Sequence, residues 1–259
     1  MTLSLEKRTH KPPRILIYGP HGLGKTTFAS MAPNPVFIQT EDGIDAIDCD
    51  AFPLAKKFDD VLTYLEELAT QDHNYKTLAI DSIDWLETLI WDKVLSSRPN
   101  DEKGRKVVSI EDYGFGKGYV HAMDFWHQYI DCLDYLRNNK DMMIIQISHA
   151  SIKRFDNPET DAYDRYDLKL SKTASAKLQE HSDIVLFANY FVGVKKDDVG
   201  FGAERKRAIG SGERVLYTEE RPSFIAKNRF SLPPEIPFTK DGSYWSTIAS
   251  HIPYFTKGE

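Results

Sequence analysis

Apolar positions along this chain fall into short runs that alternate with helical stripes. An apolar run at residues 14–18 (RILIY) stops at Gly19, and residues 25–31 then have helical composition until Pro33 and Pro35. Residues 36–39 (VFIQ) are the next apolar run. Phe58, Val61, Leu62, Leu65 and Leu68 recur at helical spacing over residues 58–70. Residues 77–80 form a short run ending at Asp81, and Trp85, Leu86, Leu89, Ile90 and Val94 make a second helical stripe. Helical spacing returns at 119–138, an apolar run at 142–148, a short helix near 174–180 and a run at 184–190. Short apolar runs bounded by turn residues read as buried strands, and recurrence at three and four residues reads as helix.

Two polar segments, 96–118 and 151–172, show no period and read as long loops. Beyond residue 190 the pattern suggests hairpins, with strands at 191–195, 206–209, 214–217 and 224–227, before a proline-rich stretch, LPPEIPF. Strands alternating with helices predict an α/β fold with a mostly parallel, doubly wound sheet, extended by C-terminal antiparallel hairpins. The expected organisation is an N-terminal extension (1–13), a core (14–232) and a C-terminal tail (233–259).

Composition narrows the function. The chain has 259 residues, which suits one α/β domain. A net charge of −6 argues against a constitutive, charge-driven nucleic-acid binder, so any such contact must come from local basic loops or from an assembled surface. No apolar run approaches the roughly 18 residues of a membrane span, and the N-terminus lacks an apolar leader. Cys49 and Cys132 form neither a metal cluster nor a disulfide framework. These features suggest a cytoplasmic protein without a membrane partner.

The glycine turn that interrupts the first strand carries the chemistry. Gly19-Pro20-His21-Gly22-Leu23-Gly24-Lys25-Thr26 has the spacing of a phosphate-binding loop, G-x-x-x-x-G-K-[ST], between a strand and a helix. Glycines let the backbone curl its N–H groups around a phosphate, and the helix N-terminus adds partial positive charge. These eight residues with Thr27 are the candidate nucleotide contacts, and ATP with Mg²⁺ is the expected cofactor pair. Lys25 is expected to reach the β- and γ-phosphates, and Thr26 with Asp81, at the end of its strand, to hold Mg²⁺. Asp84 and Glu87, on the helix after Asp81, read as a solvated face.

Further motifs resemble the RecA-like ATPases. Phe37-Ile38-Gln39-Thr40-Glu41-Asp42-Gly43-Ile44-Asp45 is similar to the RecA segment holding the catalytic glutamate, and Asp81 is followed by serine as in RecA. The resemblance implies Glu41 as the water-activating base. It places His149, at the end of the 142–148 strand, where RecA has a γ-phosphate-sensing glutamine. Ile225-Ala226-Lys227-Asn228-Arg229-Phe230 is similar to the Lys-x-Arg element of related hexameric helicases and to the KNRF of RadA. Carried over, Lys227 and Arg229 would act in trans on a neighbour's ATP, in a homo-oligomeric ring or filament.

Over about residues 14–230 the arrangement is similar to the compact RecA-like ATPases of bacteriophages, which lack flanking DNA-binding domains. In a phage-encoded case the location would be the host cytoplasm. The family's two DNA loops correspond to the segments 96–118 and 150–172. Arg105, Lys106 and Lys117 in the first, and Lys153 and Arg154 in the second, are candidate single-stranded DNA contacts, with aromatics interleaved for base stacking. Acids in both loops oppose that role. The resemblance implies DNA-stimulated ATP hydrolysis in phage recombination or annealing, with a single-strand-binding protein as a further partner. Two alternatives stand beside it: a nucleotide-switched assembly or loading factor without DNA contact, and a ring helicase or translocase.

Overall fold

A computed structural model describes residues 10–198 and 204–256. Residues 1–9 of the expected N-terminal extension and residues 257–259 of the expected tail lie outside the described residues. The central strand is β1 (Arg14–Gly19), followed by the phosphate loop and α1 (Lys25–Ser30). Next come β2 (Pro35–Gln39), β3 (Asp50–Ala51), α2 (Phe58–Thr70), β4 (Thr77–Asp81), α3 (Ile83–Ser97) and α4 (Lys117–Asn139). The chain then forms β5 (Met143–Phe155), β6 (Tyr163–Leu168), α5 (Lys172–His181), β7 (Ile184–Asp198), β8 (Glu204–Tyr217), β9 (Lys227–Asn228), β10 (Glu235–Pro237) and α6 (Tyr244–His251).

The main sheet runs β10-β8-β7-β1-β5-β4-β2-β3. From β7 to β3 every neighbouring pair is parallel, and β8 and β10 extend the sheet antiparallel. This is the α/β class expected from the sequence. Side chains alternate across each strand, so β1 serves both faces of the sheet. Leu16 and Tyr18 pack with α2, α3, α4 and α5, whereas Ile15 and Ile17 pack with α1 and α6. Coverage on both sides explains why these strands read as continuous apolar runs.

Several expectations change. The segment 151–172 is not a loop, because β5 continues past His149 to Phe155 and pairs antiparallel with β6. The polar turn DNPETDA hid two strands whose apolar positions are few. The strand expected at 191–195 is the continuation of β7, and those at 206–209 and 214–217 are one strand, β8. Residues 224–227 form no strand of their own, and pairing with β7 starts at Lys227. The first loop stays largely irregular, with a single 3-10 turn at Ile110–Tyr113. Its Tyr113 hydroxyl donates to the Arg98 carbonyl at 2.5 Å, which holds the loop to the end of α3.

The expected tail is part of the core. Ile236, Phe238, Tyr244, Ile248 and Ile252 are buried against α1 and the sheet. Pro237 is accommodated because β10 is an outer strand, where a missing N–H breaks no interior ladder. Among the described residues, no helix is long and apolar enough to cross a membrane.

Candidate functional site

The parallel strands bring their C-terminal ends to one edge. Gly19 is paired with His149 on β5, Asp81 with Ile147 on β5, and Gln39 on β2 with Asp81. Strands lie about 4.8 Å apart, so the phosphate loop, Asp81, the segment after Gln39 and His149 share one crevice. The sheet order places β5 between the loop strand β1 and the Asp81 strand β4.

The loop depends on its glycines. Gly22 (φ 72°) and Gly24 (φ 95°) adopt left-handed backbone that strains other residues. Gly19 is required sterically, because a Cβ there would sit 2.1 Å from the Ala188 carbonyl oxygen. Lys25 is buried and its ammonium donates to the carbonyls of Gly19 (3.0 Å) and Pro20 (2.8 Å). Burial lowers its pKa, against the attraction of Asp81, Asp84 and Glu41. A charged group held on two carbonyls can turn to a phosphate without a large rearrangement.

Asp81 is buried and accepts a hydrogen bond from the Thr26 hydroxyl at 2.7 Å. Burial raises its pKa to about 6, opposed by the Thr26 bond and reinforced by Glu41. A hydroxyl and a carboxylate are hard oxygen donors of the kind Mg²⁺ takes beside phosphate oxygens and water. Among the described residues no group of three His, Cys, Asp or Glu side chains could hold a metal alone. The pair therefore fits a cation that arrives with a nucleotide.

His149 is held on two sides. Its backbone N–H and its Nδ1 each lie 3.0 Å from an Asp84 carboxylate oxygen, and its Nε2 lies 3.9 Å from Glu41 Oε1. With Nδ1–H committed to Asp84, Nε2 is the nitrogen turned to the crevice. The His21 ring packs on His149 with centroids 4.1 Å apart. The neighbouring His149 charge lowers the His21 pKa. Asp84 would be raised by burial, yet its hydrogen bonds and attraction to His149 leave its pKa lowered.

Asp84 and Glu87 therefore do not form a solvated face. Glu87 is buried and accepts from the Ser171 N–H (2.9 Å) and hydroxyl (2.6 Å). Arg214, on β8, also escaped notice. Its Nη1 donates to the Leu23 carbonyl in the phosphate loop at 2.7 Å.

The candidate DNA contacts divide into two places. Arg105 is ion-paired with Asp101, Lys117 with Glu102, and exposed Lys106 lies in a bridge with Asn100. Lys153 and Arg154 stand on the β5–β6 hairpin, which continues directly from His149. They line a cleft of about 480 Å³ with Arg165, Lys172 and Phe155, and with Asp167 and Asp156, which lie 3.8 Å from the Lys153 ammonium and 3.7 Å from Arg154 Nε. Arg165 sits 4.0 Å over the Phe155 ring.

Lys227 and Arg229 lie at the opposite edge. Asp183, just before β7, accepts from the Arg14 N–H at the start of β1 (3.0 Å) and from Arg229 Nη1 (3.1 Å). The Lys227 ammonium donates to the carbonyls of Gln179 (2.7 Å), Glu180 (3.1 Å) and Ser182 (2.7 Å), capping the end of α5. Its finger reading is corrected accordingly: its three donors are engaged within its own chain. The Arg229 side chain is 52% exposed and so remains accessible to a neighbour.

No curated protein matches the sequence. Among solved structures, the crystal structure of the RadB recombinase is similar over 90% of each chain, at 13% identity and a TM-score of 0.47. The family model described as an AAA domain matches residues 11–230, a span that holds the phosphate loop, Asp81, His149 and the Lys227–Asn228 strand, and the chain belongs to that family.

Proposed function

We propose that this protein is an ATPase that binds Mg·ATP at the phosphate loop and uses it to control binding of single-stranded DNA. The observation that carries this reading is the convergence of Lys25, Asp81, Glu41 and His149 on one sheet edge. The loop N–H groups and Lys25 would bind the phosphates, and Thr26 with Asp81 would hold Mg²⁺, which supplies charge neutralisation at the phosphates. Glu41 orients and deprotonates the attacking water. His149 Nε2 senses the terminal phosphate. Strand β5 runs unbroken from His149 into the hairpin, and the Lys169 N–H donates to the His149 carbonyl at 2.9 Å. A shift at His149 therefore moves the root of the hairpin and its basic cleft.

In that cleft, cations would neutralise phosphates and Phe155 would offer a stacking face. Arg229 cannot serve its own site. It lies by the start of β1, and the phosphate loop lies at the far end, about 16 Å away at 3.3 Å per residue. In an oligomer it would act on the ATP of the adjacent subunit, stabilising transition-state charge. A recombination or annealing role follows from nucleotide-gated binding of single strands.

A second reading, a nucleotide-switched assembly factor, draws support from the pairing of the candidate DNA cations with nearby acids: Arg105 with Asp101, Lys117 with Glu102, Lys153 with Asp167 and Arg154 with Asp156. Fluorescence anisotropy of labelled oligo(dT) separates the two. The DNA reading expects tighter binding with Mg·ATP than with Mg·ADP, lost in the double variant Lys153→Glu/Arg154→Glu. Equal, weak binding in every nucleotide state would favour the assembly factor.

A further inference from the structure

We propose that Arg214 is a positioning residue for nucleotide: it fixes the Leu23–Gly24 peptide so that the Gly24 N–H faces the phosphates. The proposal rests on the reading of the loop as a nucleoside triphosphate site. It adds a residue from outside every motif of that site, on a strand far along the chain.

The geometry is local and specific. Arg214 Nη1 donates to the Leu23 carbonyl at 2.7 Å. That carbonyl belongs to the same peptide unit as the Gly24 N–H. Among the described residues the only cis peptide is Asp81–Ser82, so the Leu23–Gly24 unit is trans. In a planar trans peptide, C=O and N–H point in opposite directions. Holding the carbonyl on Arg214 thus aims the Gly24 N–H to the side away from Arg214. Gly24 is a residue whose peptide would otherwise turn freely, since glycine accepts positive and negative φ alike.

The guanidinium is itself held in place. Nη1 lies 3.0 Å from where a Gly24 Cβ would stand, so the group packs directly on the glycine. The guanidinium carbon lies 5.2 Å from the centre of the Phe238 ring. The Phe238 N–H returns to the Arg214 carbonyl at 2.8 Å. Phe238 then meets Phe28 of α1 edge-on at 6.3 Å, and Trp245 of α6 donates to the Phe28 carbonyl at 2.9 Å. The C-terminal strand and helix thereby clamp the arginine against the phosphate loop. A guanidinium has five donors in a fixed fork, so Nη1 can hold the Leu23 carbonyl while the group stays over the Phe238 ring.

The test is equilibrium binding of a fluorescent ATP analogue, mant-ATP with Mg²⁺, to the full chain, with steady-state ATP hydrolysis alongside. Arg214→Gln is expected to weaken mant-ATP binding at least tenfold and to raise KM by a similar factor. Its kcat at saturating ATP should stay within threefold, because Glu41, Asp81 and His149 are untouched. Arg214→Lys, which keeps charge and one donor, should recover at least a third of the lost affinity. Thermal melting without nucleotide checks that each variant is folded. Affinity within twofold of wild type for folded Arg214→Gln overturns the proposal, as does a fall in kcat with KM unchanged. Lys25→Ala separates this failure from that of the underlying reading. If wild type and Lys25→Ala bind mant-ATP alike, the loop is not the nucleotide site and both readings fall. If only Lys25→Ala loses binding, the site stands and the role of Arg214 does not.

Discussion

Replacing Asp81 with asparagine should stabilise the protein in the absence of nucleotide, although it removes a residue to which the proposed function assigns Mg²⁺. Asp81 is 4% exposed, and its pKa is raised from 3.8 to about 6, chiefly by burial. A carboxyl with a raised folded-state pKa binds its proton more tightly in the native state than in the unfolded one. The stability it contributes is therefore complete below about pH 4 and is lost as pH rises through 6. A shift of about two units corresponds to about 3 kcal/mol at pH 7.5. Asparagine cannot ionise, has nearly the same shape, and still accepts the Thr26 hydroxyl. Asp81→Asn should then be more stable than wild type by up to about 3 kcal/mol at pH 7.5, with the gap closing toward pH 4. Urea unfolding across that range, with Mg²⁺ chelated and no nucleotide, measures the gap. Adding Mg·ATP should narrow the gap, because wild type, which keeps both oxygens proposed for Mg²⁺, gains more from binding than the variant does. An Asp81→Asn protein less stable than wild type at pH 7.5, or a gap independent of pH, would refute the reasoning.

The remaining predictions concern packing and charge. Gly19→Ala drives a methyl to 2.1 Å from the Ala188 carbonyl oxygen, and should cost about 3 kcal/mol or more by thermal or urea unfolding. Asp84→Ala leaves the His149 N–H and ring without their acceptor, and should cost about 3 kcal/mol in the same assay and slow hydrolysis by the folded protein. Lys227→Met uncaps α5 and should lower stability by about 2 kcal/mol. Arg229→Ala removes a half-exposed ion pair and should change stability by less than about 1 kcal/mol while reducing hydrolysis, which urea unfolding and ATPase assays on the same sample resolve.

The central features were legible because they lie on parallel strands with apolar runs. Gly19, Asp81 and His149 each close such a run, so a parallel sheet must bring them to one edge, whatever the loops do. Asp84 and Glu87 were misread because helical periodicity within α3 says nothing about the strand end and the Ser171 turn packed against its polar side. The β5–β6 hairpin was hidden because its apolar residues do not alternate: Ile152 and Phe155 in β5, and Tyr163 and Tyr166 in β6, are each three positions apart, and the residues between them are charged. Lys227 read as a trans-acting finger, since no local pattern reveals that the last carbonyls of α5 lie beside it. The C-terminal segment read as a tail on account of its prolines, yet Ile236, Phe238, Tyr244 and Ile248 supply a buried face that only the described fold brings onto α1. Arg214 carried no local signal, being tied to a loop nearly the whole chain away in sequence.

The most direct measurement is steady-state ATP hydrolysis with and without single-stranded DNA, in wild type and Lys25→Ala, at low and moderate salt. The account predicts Mg²⁺-dependent hydrolysis that single strands stimulate severalfold and that Lys25→Ala abolishes. Hydrolysis that ignores DNA at both salt concentrations, or that survives in Lys25→Ala, would contradict it.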